Sequence, residues 1–201
     1  MICMVKAIIF DLGGVLFTNG TKSFIKYLIK TYNLNREKVN TVMHGEIGSL
    51  YRESKISRDE FWERFLNELG ISEDADKLET EWINQYELIT ETKDLIKELS
   101  KKYKLLFLSD NVKERVEKLN KEHDFISWFE DGVFSHEVGV RKPNPKIYRI
   151  ALQKAGVRAN EAIFIDDIPQ FLQPAAKMGM KTILFTNSGD LRKKLLRFLI
   201  N

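Results

Sequence analysis

One stretch decides the fold of this chain: Lys6-Ala-Ile-Ile-Phe-Asp-Leu-Gly-Gly-Val-Leu16. A short apolar run ends at Asp11, and two glycines follow at once. In an open parallel sheet, the carboxyl end of a strand faces the crevice where ligands bind. A carboxylate placed there can attack an electrophile or hold a cation. Gly13 lets a ligand approach the backbone closely. Because glycine has no side chain, there is no acid or base two residues after Asp11.

Further apolar runs predict other strands of a sheet that is buried on both faces. Helical patterns lie between these runs, and such alternation indicates right-handed crossovers between parallel strands. We therefore predict an α/β fold with a doubly wound parallel sheet. The predicted strands are Val5–Phe10, Leu105–Leu108, Ala162–Ile165 and Thr182–Phe185, with a weaker one at Gly132–Ser135.

The alternation is interrupted over residues 17–87, which hold helical patterns but no buried-strand run. Aromatic residues dominate these patterns, and Ser57 and Glu60 have the spacing of a capping box. We predict that residues 17–87 form a helical cap inserted into a core of residues 1–16 and 88–201. The cap begins beside Asp11, so it is a candidate lid. We interpret its aromatic stripes as cap core rather than as a substrate pocket.

Composition excludes several classes of function. The 201 residues are 43% hydrophobic and 30% charged, with a net charge of +3 and no concentrated basic face for nucleic acid. No apolar run is long enough to span a bilayer. The single cysteine, Cys3, excludes an intrachain disulfide, indicates a reducing compartment and is interpreted as an apolar filler. We expect a cytoplasmic monomer or homodimer without nucleic-acid or membrane partners.

Polar residues of a particular kind follow the predicted strands. Asp11 follows the first strand, Ser109-Asp-Asn111 the second, and Asp166-Asp167 a later one. Lys142 lies in Gly139-Val-Arg-Lys-Pro-Asn-Pro145, at the start of a helical pattern. The carboxyl ends of parallel strands share one edge, so we expect these side chains to lie together.

This set of residues suits a dianionic phosphate ester. Asp11 and a phosphate repel each other, so a divalent cation and a fixed positive charge must offset both. Asp166 can join Asp11 and a backbone carbonyl in an oxygen-rich magnesium site. Lys142 supplies a point charge, while Ser109 and nearby amides, such as that of Asp110, can hold the phosphoryl oxygens. Asp11 can then attack phosphorus to form an aspartyl-phosphate, which water hydrolyses.

The ordered motifs resemble those of the haloacid dehalogenase-like superfamily, in members with a helical cap after the first strand. The resemblance spans essentially the whole chain and is closest to the branch that includes a bacterial glucose-1-phosphate phosphatase. The motifs that carry it are Phe10-Asp-Leu-Gly-Gly-Val-Leu16, Leu108-Ser-Asp-Asn111, Val138-Gly-Val-Arg-Lys-Pro143 and Ile163-Phe-Ile-Asp-Asp167.

The resemblance implies a role for each matching position. Asp11 is then nucleophile and magnesium ligand, and Ser109 and Lys142 contact the phosphate. Asp166 binds magnesium directly, Asp167 supports it, and the backbone carbonyl of residue 13 is a further ligand. Most phosphatases of the superfamily carry a second aspartate at that position, as general acid and base; this chain has Gly13.

Without that acid, a phosphatase favours leaving groups that depart readily, because protonation commonly supplies about two to four orders of magnitude in rate. Sugar 1-phosphates, acyl phosphates and aryl phosphates meet this requirement better than primary alkyl phosphates. Candidates for the missing group are Asp167, Asp110, His136 and Glu46. We assign no role to His44 or His123.

The leading hypothesis is thus a magnesium-dependent phosphatase of small phosphorylated metabolites. One alternative is a metal-independent 2-haloacid dehalogenase, in which Asp11 attacks carbon and halide departs without protonation. A second alternative is a catalytically weakened protein that binds phosphate or a partner. The retained nucleophile, lysine and carboxylates argue against this second alternative.

Overall fold

The computed structural model describes residues 4–199, and Cys3 lies outside this range. The described chain forms a parallel sheet with strand order β3-β2-β1-β4-β5. The doubly wound parallel fold is therefore confirmed, with strand ends displaced by one or two residues from the predicted ones. The strands are β1 (Ala7–Phe10), β2 (Lys104–Ser109), β3 (Asp131–Phe134), β4 (Ala162–Asp166) and β5 (Lys181–Leu184).

The strands are buried on both faces because their side chains alternate between two apolar layers. On β1, Ile8 and Phe10 belong to one layer, whereas Ala7 and Ile9 belong to the other. Helices cover both layers and complete the core. They are α6 (Thr90–Leu99), α7 (Lys113–His123), α8 (Ser135–Val138), α9 (Pro145–Ala155), α10 (Pro169–Lys177) and α11 (Ser188–Leu199), with 3-10 turns at Phe125–Trp128 and Ala159–Glu161.

The segment between β1 and α6 is helical and surrounds an apolar cluster of its own. Aromatic rings dominate this cluster; those of Tyr51 and Phe61, for example, stack with centroids 4.2 Å apart. The boundaries at residues 17 and 87 stay a prediction. The helices are α1 (Gly20–Tyr32), α2 (Arg36–His44), α3 (Glu46–Arg52), α4 (Arg58–Leu69) and α5 (Ala75–Asn84). We call this segment the cap.

Local sequence explains where the cap helices begin. Polar side chains just before α1, α2, α4 and α5 accept a hydrogen bond from a backbone N–H of the first turn, which otherwise has no partner. Ser57 does so for α4, while the Glu60 carboxylate pairs with Arg64. The capping side chains are Asn19, Asn35, Ser57 and Asp74.

The two chain segments that join cap and core run side by side. Phe17 and Leu88 form an antiparallel bridge, and Ile89 N donates to Leu16 O at 2.8 Å. Thr18 N donates to Glu87 O at 2.8 Å. The cap therefore leaves and rejoins the core at one place, next to Asp11. Among residues 4–199, none of the helices combines the length and the apolar character that a bilayer crossing requires.

Candidate active site

Asp11 lies at the point of the sheet where the strand order reverses. β1 and β4 are neighbours there, and Asp11 N extends their ladder by donating to Ile165 O at 2.8 Å. Asp166, the last residue of β4, consequently lies beside Asp11 at the carboxyl edge. Both carboxylates are buried, with Asp11 6% and Asp166 0% exposed. Ligands of open α/β sheets bind at this topological position.

Lys142 joins the two carboxylates. Its ammonium nitrogen lies 3.0 Å from Asp11 Oδ1 and 2.7 Å from Asp166 Oδ2, and the residue is 1% exposed. The loop that follows β3 brings this lysine across the edge, just before α9. The structure thus brings together three of the residues that the sequence singles out, from three separate segments.

Asp167 completes a cluster that can hold a metal ion. Asp11, Asp166 and Asp167 each offer a carboxylate oxygen, and these oxygens lie within 4.8 Å of one another. Asp167 Oδ2 accepts from Asn19 Nδ2 at 3.3 Å, whereas its buried Oδ1 has no hydrogen-bond partner. A buried carboxylate oxygen without a donor is costly. A hard divalent cation would satisfy it, so the residues present fit such an ion.

The charges of the cluster are not balanced by Lys142 alone, because three carboxylates face one ammonium group. Burial raises the pKa of Asp11 well above its usual range; Lys142 opposes this shift, whereas Asp166 and Asp167 add to it. Burial also raises the pKa of Asp166 and of Asp167. Burial alone would lower the pKa of Lys142, but the carboxylates raise it. The cluster lacks positive charge, as a cation site would.

The loop after β2 supplies Ser109 and Asp110. Ser109 is the last residue of the strand and is buried. The Asp110 carboxylate accepts from Lys142 N at 3.0 Å and from Arg141 Nε at 3.3 Å. Asp110 therefore holds the lysine loop in place through its side chain, a contact that the sequence did not predict.

The neighbouring glycines Gly13 and Gly14 differ in the space around them. A Cβ at Gly14 would lie 2.3 Å from Asp167 Oδ2, and the φ of Gly14 is +89°. Gly14 is thus required by both sterics and backbone conformation. A Cβ at Gly13 would meet only Tyr86 Cε1, at 3.6 Å, an ordinary contact. The backbone at position 13 therefore does not require glycine.

A cavity of about 110 Å³ lies over Asp11, between core and cap. At the sheet edge, the cavity is lined by Asp11, Gly13, Ser109, Asp110 and Lys142. We call these residues, together with Asp166 and Asp167 of the carboxylate cluster, the floor. The roof consists of cap residues that line the same cavity: Asn19, Thr21, His44, Arg52 and Tyr86. Arg141, Asn111, Ile168 and Phe171 complete its wall from the core.

Most of the roof residues are not among those that the sequence singles out. His44 has no role predicted from the sequence, yet it lines the cavity. Partial burial, followed by the charges of Arg52 and Arg141, lowers its pKa. The four-residue spacing of Trp82 and Tyr86 predicts that Tyr86 continues the helix of Trp82 in the cap core. α5 ends at Asn84 instead, and the Tyr86 ring packs beside Gly13 and Gly20. The glycines at positions 13 and 20 leave space for the ring, and they are the sequence feature that could have indicated this packing.

The candidates for the missing acid lie in different places. Asp110 lines the cavity but is engaged with Arg141 and Lys142 N. His136 Nδ1 hydrogen-bonds Asn111 O at 3.0 Å, and its ring stacks on Phe134. Glu46 is exposed at the start of α3. Asp167 belongs to the carboxylate cluster. The role of each as an acid stays a hypothesis.

The site and fold define a hydrolase class. The family model for haloacid dehalogenase-like hydrolases matches residues 8–185. The chain belongs to this family and is a hydrolase, which confirms the resemblance seen in the four motifs. The narrower resemblance to the glucose-1-phosphate phosphatase branch stays a prediction.

Curated relatives include proteins of several activities. An uncharacterised protein of Dictyostelium discoideum is 30% identical over 69% of this chain and 62% of its own length. Bifunctional epoxide hydrolase 2 of Mus musculus is 34% identical over 43% of this chain, but the match covers 14% of that protein. The chain thus spans less than two thirds of these first relatives. Sesquiterpene phosphatase astK of Aspergillus oryzae is 26% identical, with 91% of each chain covered.

Solved structures share the fold. A haloacid dehalogenase family enzyme of Bacteroides thetaiotaomicron, in complex with magnesium and inorganic phosphate, superposes with a TM-score of 0.73 at 23% identity, covering 90% of this chain and 94% of that one. A 2-haloacid dehalogenase of Pseudomonas syringae superposes with a TM-score of 0.64 at 18% identity, covering 97% and 100%. At these identities, the likeness concerns the fold.

Proposed function

We propose that this hydrolase is a magnesium-dependent phosphatase of small phosphate monoesters, acting through an aspartyl-phosphate on Asp11. One observation carries the proposal: Asp11, Asp166 and Asp167 converge on one point with a single ammonium group, and the Asp167 Oδ1 atom has no partner. Such a site suits a divalent cation together with an anionic substrate. The phosphatase activity of the relative from Aspergillus oryzae, matched over most of both chains, supports the same class.

In this proposal, the floor residues divide the reaction among them. A carboxylate oxygen of Asp11 forms a bond to phosphorus while the bond from phosphorus to the ester oxygen breaks, and the departing oxygen takes a proton from solvent. Water then adds to phosphorus, which releases phosphate and restores the Asp11 carboxylate. Lys142, 3.0 Å from Asp11 Oδ1, holds this carboxylate in position and offsets the charge of the phosphoryl group.

Other floor residues bind rather than react. In this proposal, Ser109 and the Asp110 amide hold the phosphoryl oxygens, whose charge grows in the transition state. Asp11, Asp166, Asp167 and the Gly13 carbonyl would hold magnesium, which when bound neutralises charge on the carboxylates and the phosphoryl group. Asp167 receives its orientation from Asn19, through the bond to Oδ2.

Gly13 and the small cavity restrict the substrates. The chain has no carboxyl group at position 13 to protonate the leaving oxygen, so esters with readily departing groups should react fastest. A cavity of about 110 Å³ favours a compact group beside the phosphate. We therefore propose small sugar 1-phosphates, acyl phosphates or enol phosphates as substrates.

The test is phosphate release from para-nitrophenyl phosphate, measured with and without Mg²⁺. We expect turnover that needs Mg²⁺ and that falls by roughly three orders of magnitude or more in Asp11→Asn, since the nucleophile is lost. Asp59→Asn, an exposed aspartate of α4, is the matched control. Absence of turnover over a panel of phosphate esters would refute the proposal. Metal-independent chloride release from 2-chloropropionate would instead identify a dehalogenase.

A further inference from the structure

Arg52 is a buried cation in the roof. It is the last residue of α3, is 5% exposed and lines the same cavity as Asp11 and Lys142. Arginine is rarely buried without a charged partner. Arg52 therefore brings a positive charge to the wall of this cavity.

Within residues 4–199, the hydrogen bonds of the guanidinium come from one of its nitrogens. Nη1 donates to Met43 O at 2.9 Å and to Gly48 O at 2.8 Å. The Arg52 carbonyl in turn accepts from Ser135 Oγ at 2.7 Å, which fixes the residue to the core. A Cβ at Gly48 would lie 2.9 Å from Nη1, so glycine at position 48 permits this close arrangement. Nε and Nη2 form no hydrogen bond with residues 4–199, and the guanidinium also lies over the Trp82 ring, with Cζ 5.6 Å from the ring centroid.

No carboxylate of residues 4–199 forms an ion pair with Arg52. The pKa of Arg52 is lowered to about 10, chiefly by burial and then by the charges of Arg141 and Arg115, whereas Tyr86 and Asp110 oppose this shift. Arg141 contrasts with it, because the Arg141 guanidinium pairs with Asp110 at 3.3 Å. Arg52 is thus a charged donor that lacks an anion.

We propose that Arg52 binds a second anionic group on the leaving-group side of the substrate, a carboxylate two or three carbons from the phosphate. This inference rests on the proposed phosphatase function and specifies its substrate class. The phosphate would lie on the floor, at Asp11 and Lys142, and the carboxylate would face Arg52 across the same cavity. A planar guanidinium with two free donors matches a carboxylate bidentately.

The cavity size favours a carboxylate over a second phosphoryl group. The space between floor and roof is about 110 Å³. A carboxylate is planar and smaller than a tetrahedral phosphoryl group, and it leaves room for only a short carbon chain. Enol phosphates of three-carbon acids meet both requirements and also keep a readily departing group.

The experiment compares non-hydrolysable phosphonates as inhibitors of para-nitrophenyl phosphate turnover in excess Mg²⁺. 3-Phosphonopropionate carries the carboxylate, propylphosphonate has the same number of carbons but no carboxylate, and ethane-1,2-diphosphonate carries a second phosphonate group. We expect 3-phosphonopropionate to inhibit the unmodified protein roughly tenfold more strongly than propylphosphonate, as for a charge-assisted hydrogen bond.

Arg52→Gln should abolish this difference while leaving inhibition by propylphosphonate within about twofold, and Arg52→Lys should retain part of it because it keeps the charge. Arg58→Gln is the matched control, since it breaks cap ion pairs with Asp76 and Glu79 away from the cavity. It should preserve the full difference. Thermal unfolding of each variant separates loss of charge from loss of the cap fold.

The outcomes distinguish this inference from the proposed function. If 3-phosphonopropionate and propylphosphonate inhibit equally while turnover is intact, the inference about Arg52 is overturned and the proposed function is not. Stronger inhibition by the diphosphonate than by 3-phosphonopropionate overturns the assignment to a carboxylate. If no phosphate ester is turned over at all, the proposed function fails, and this inference fails with it.

Discussion

The floor and the roof of the cavity are built in different ways. The floor takes its side chains from the ends of adjacent parallel strands, where register fixes their positions to within one residue. Lys142 then joins Asp11 and Asp166 directly. The roof takes its side chains from cap helices and the links between them, and its buried Arg52 forms no ion pair within residues 4–199. A reaction centre needs fixed geometry, whereas a substrate-selecting wall needs only a complementary charge and shape.

Removal of Lys142 would break the floor most severely. Lys142→Met leaves Asp11 and Asp166 buried without a cation, so we expect the free energy of unfolding to fall by about 3–5 kcal/mol and turnover to be lost. Urea denaturation at neutral pH and phosphate release measure the two effects. Lys146→Met removes the same charge from an exposed position nearby and should change both only slightly. A loss of stability below about 1 kcal/mol would contradict the matched role of Lys142.

Magnesium should complete the floor and leave the roof unchanged. We expect a free energy of unfolding about 2.7 kcal/mol higher at a Mg²⁺ concentration one hundred times its dissociation constant, because the ion binds only the folded chain. The midpoint of thermal unfolding, followed during Mg²⁺ titration, measures this gain. Asp167→Asn should shift the titration to higher Mg²⁺ concentrations. Should the midpoint of the unmodified chain not move, the carboxylate cluster is not a cation site.

Gly13→Asp tests the boundary between the two regions. A carboxyl group at this position can protonate the leaving oxygen, and a Cβ there meets only an ordinary contact with Tyr86. We expect turnover of a primary alkyl phosphate to rise by roughly ten- to a hundredfold, below the full range of general acid catalysis because the site is not optimised for it. Turnover of para-nitrophenyl phosphate should rise much less.

Gly14→Ala is the steric counterpart of this change. Its Cβ would lie 2.3 Å from Asp167 Oδ2, at a φ of +89°, so Mg²⁺-dependent turnover should decrease. Gly13→Ala should leave the fold intact. An equal fall in Mg²⁺-dependent turnover in both alanine variants would show that position 13 has no more space than position 14.

Tyr86→Phe makes the smallest change, and it concerns the roof alone. The variant removes the hydrogen bond between Tyr86 Oη and Thr21 Oγ1, 2.7 Å long, but keeps the ring beside Gly13. We expect a loss of about 1 kcal/mol in the free energy of unfolding. The turnover number should stay within about threefold. Tyr103→Phe in the core serves as the control, and a larger fall in turnover would place the Tyr86 hydroxyl in the reaction itself.

The contrast also explains what the sequence could predict. Asp11, Ser109 and Asp166 end buried strands, and parallel strands bring their carboxyl ends to one edge, so local patterns were sufficient. Arg52 and Tyr86 belong to the cap, where their positions depend on how several helices pack. Arg52 lies in α3, a helix that the sequence pattern did not predict. Tyr86 follows Trp82 at a helical spacing of four residues, but α5 ends at Asn84, two residues before Tyr86. Tertiary packing, which single-sequence patterns do not encode, decides such positions.

The paired segments between cap and core have a consequence for how the molecule can be altered. Ile89 N and Leu16 O are already hydrogen-bonded, at 2.8 Å, so the two cut ends of the core lie side by side. A short turn could join them, and the five strands would keep their register without the inserted helices. Conversely, a different helical segment could be grafted between the same two residues. The covalent connections between core and cap thus lie at one place, while side-chain contacts such as Asn19 with Asp167 and Ser135 with Arg52 would have to be rebuilt in any replacement.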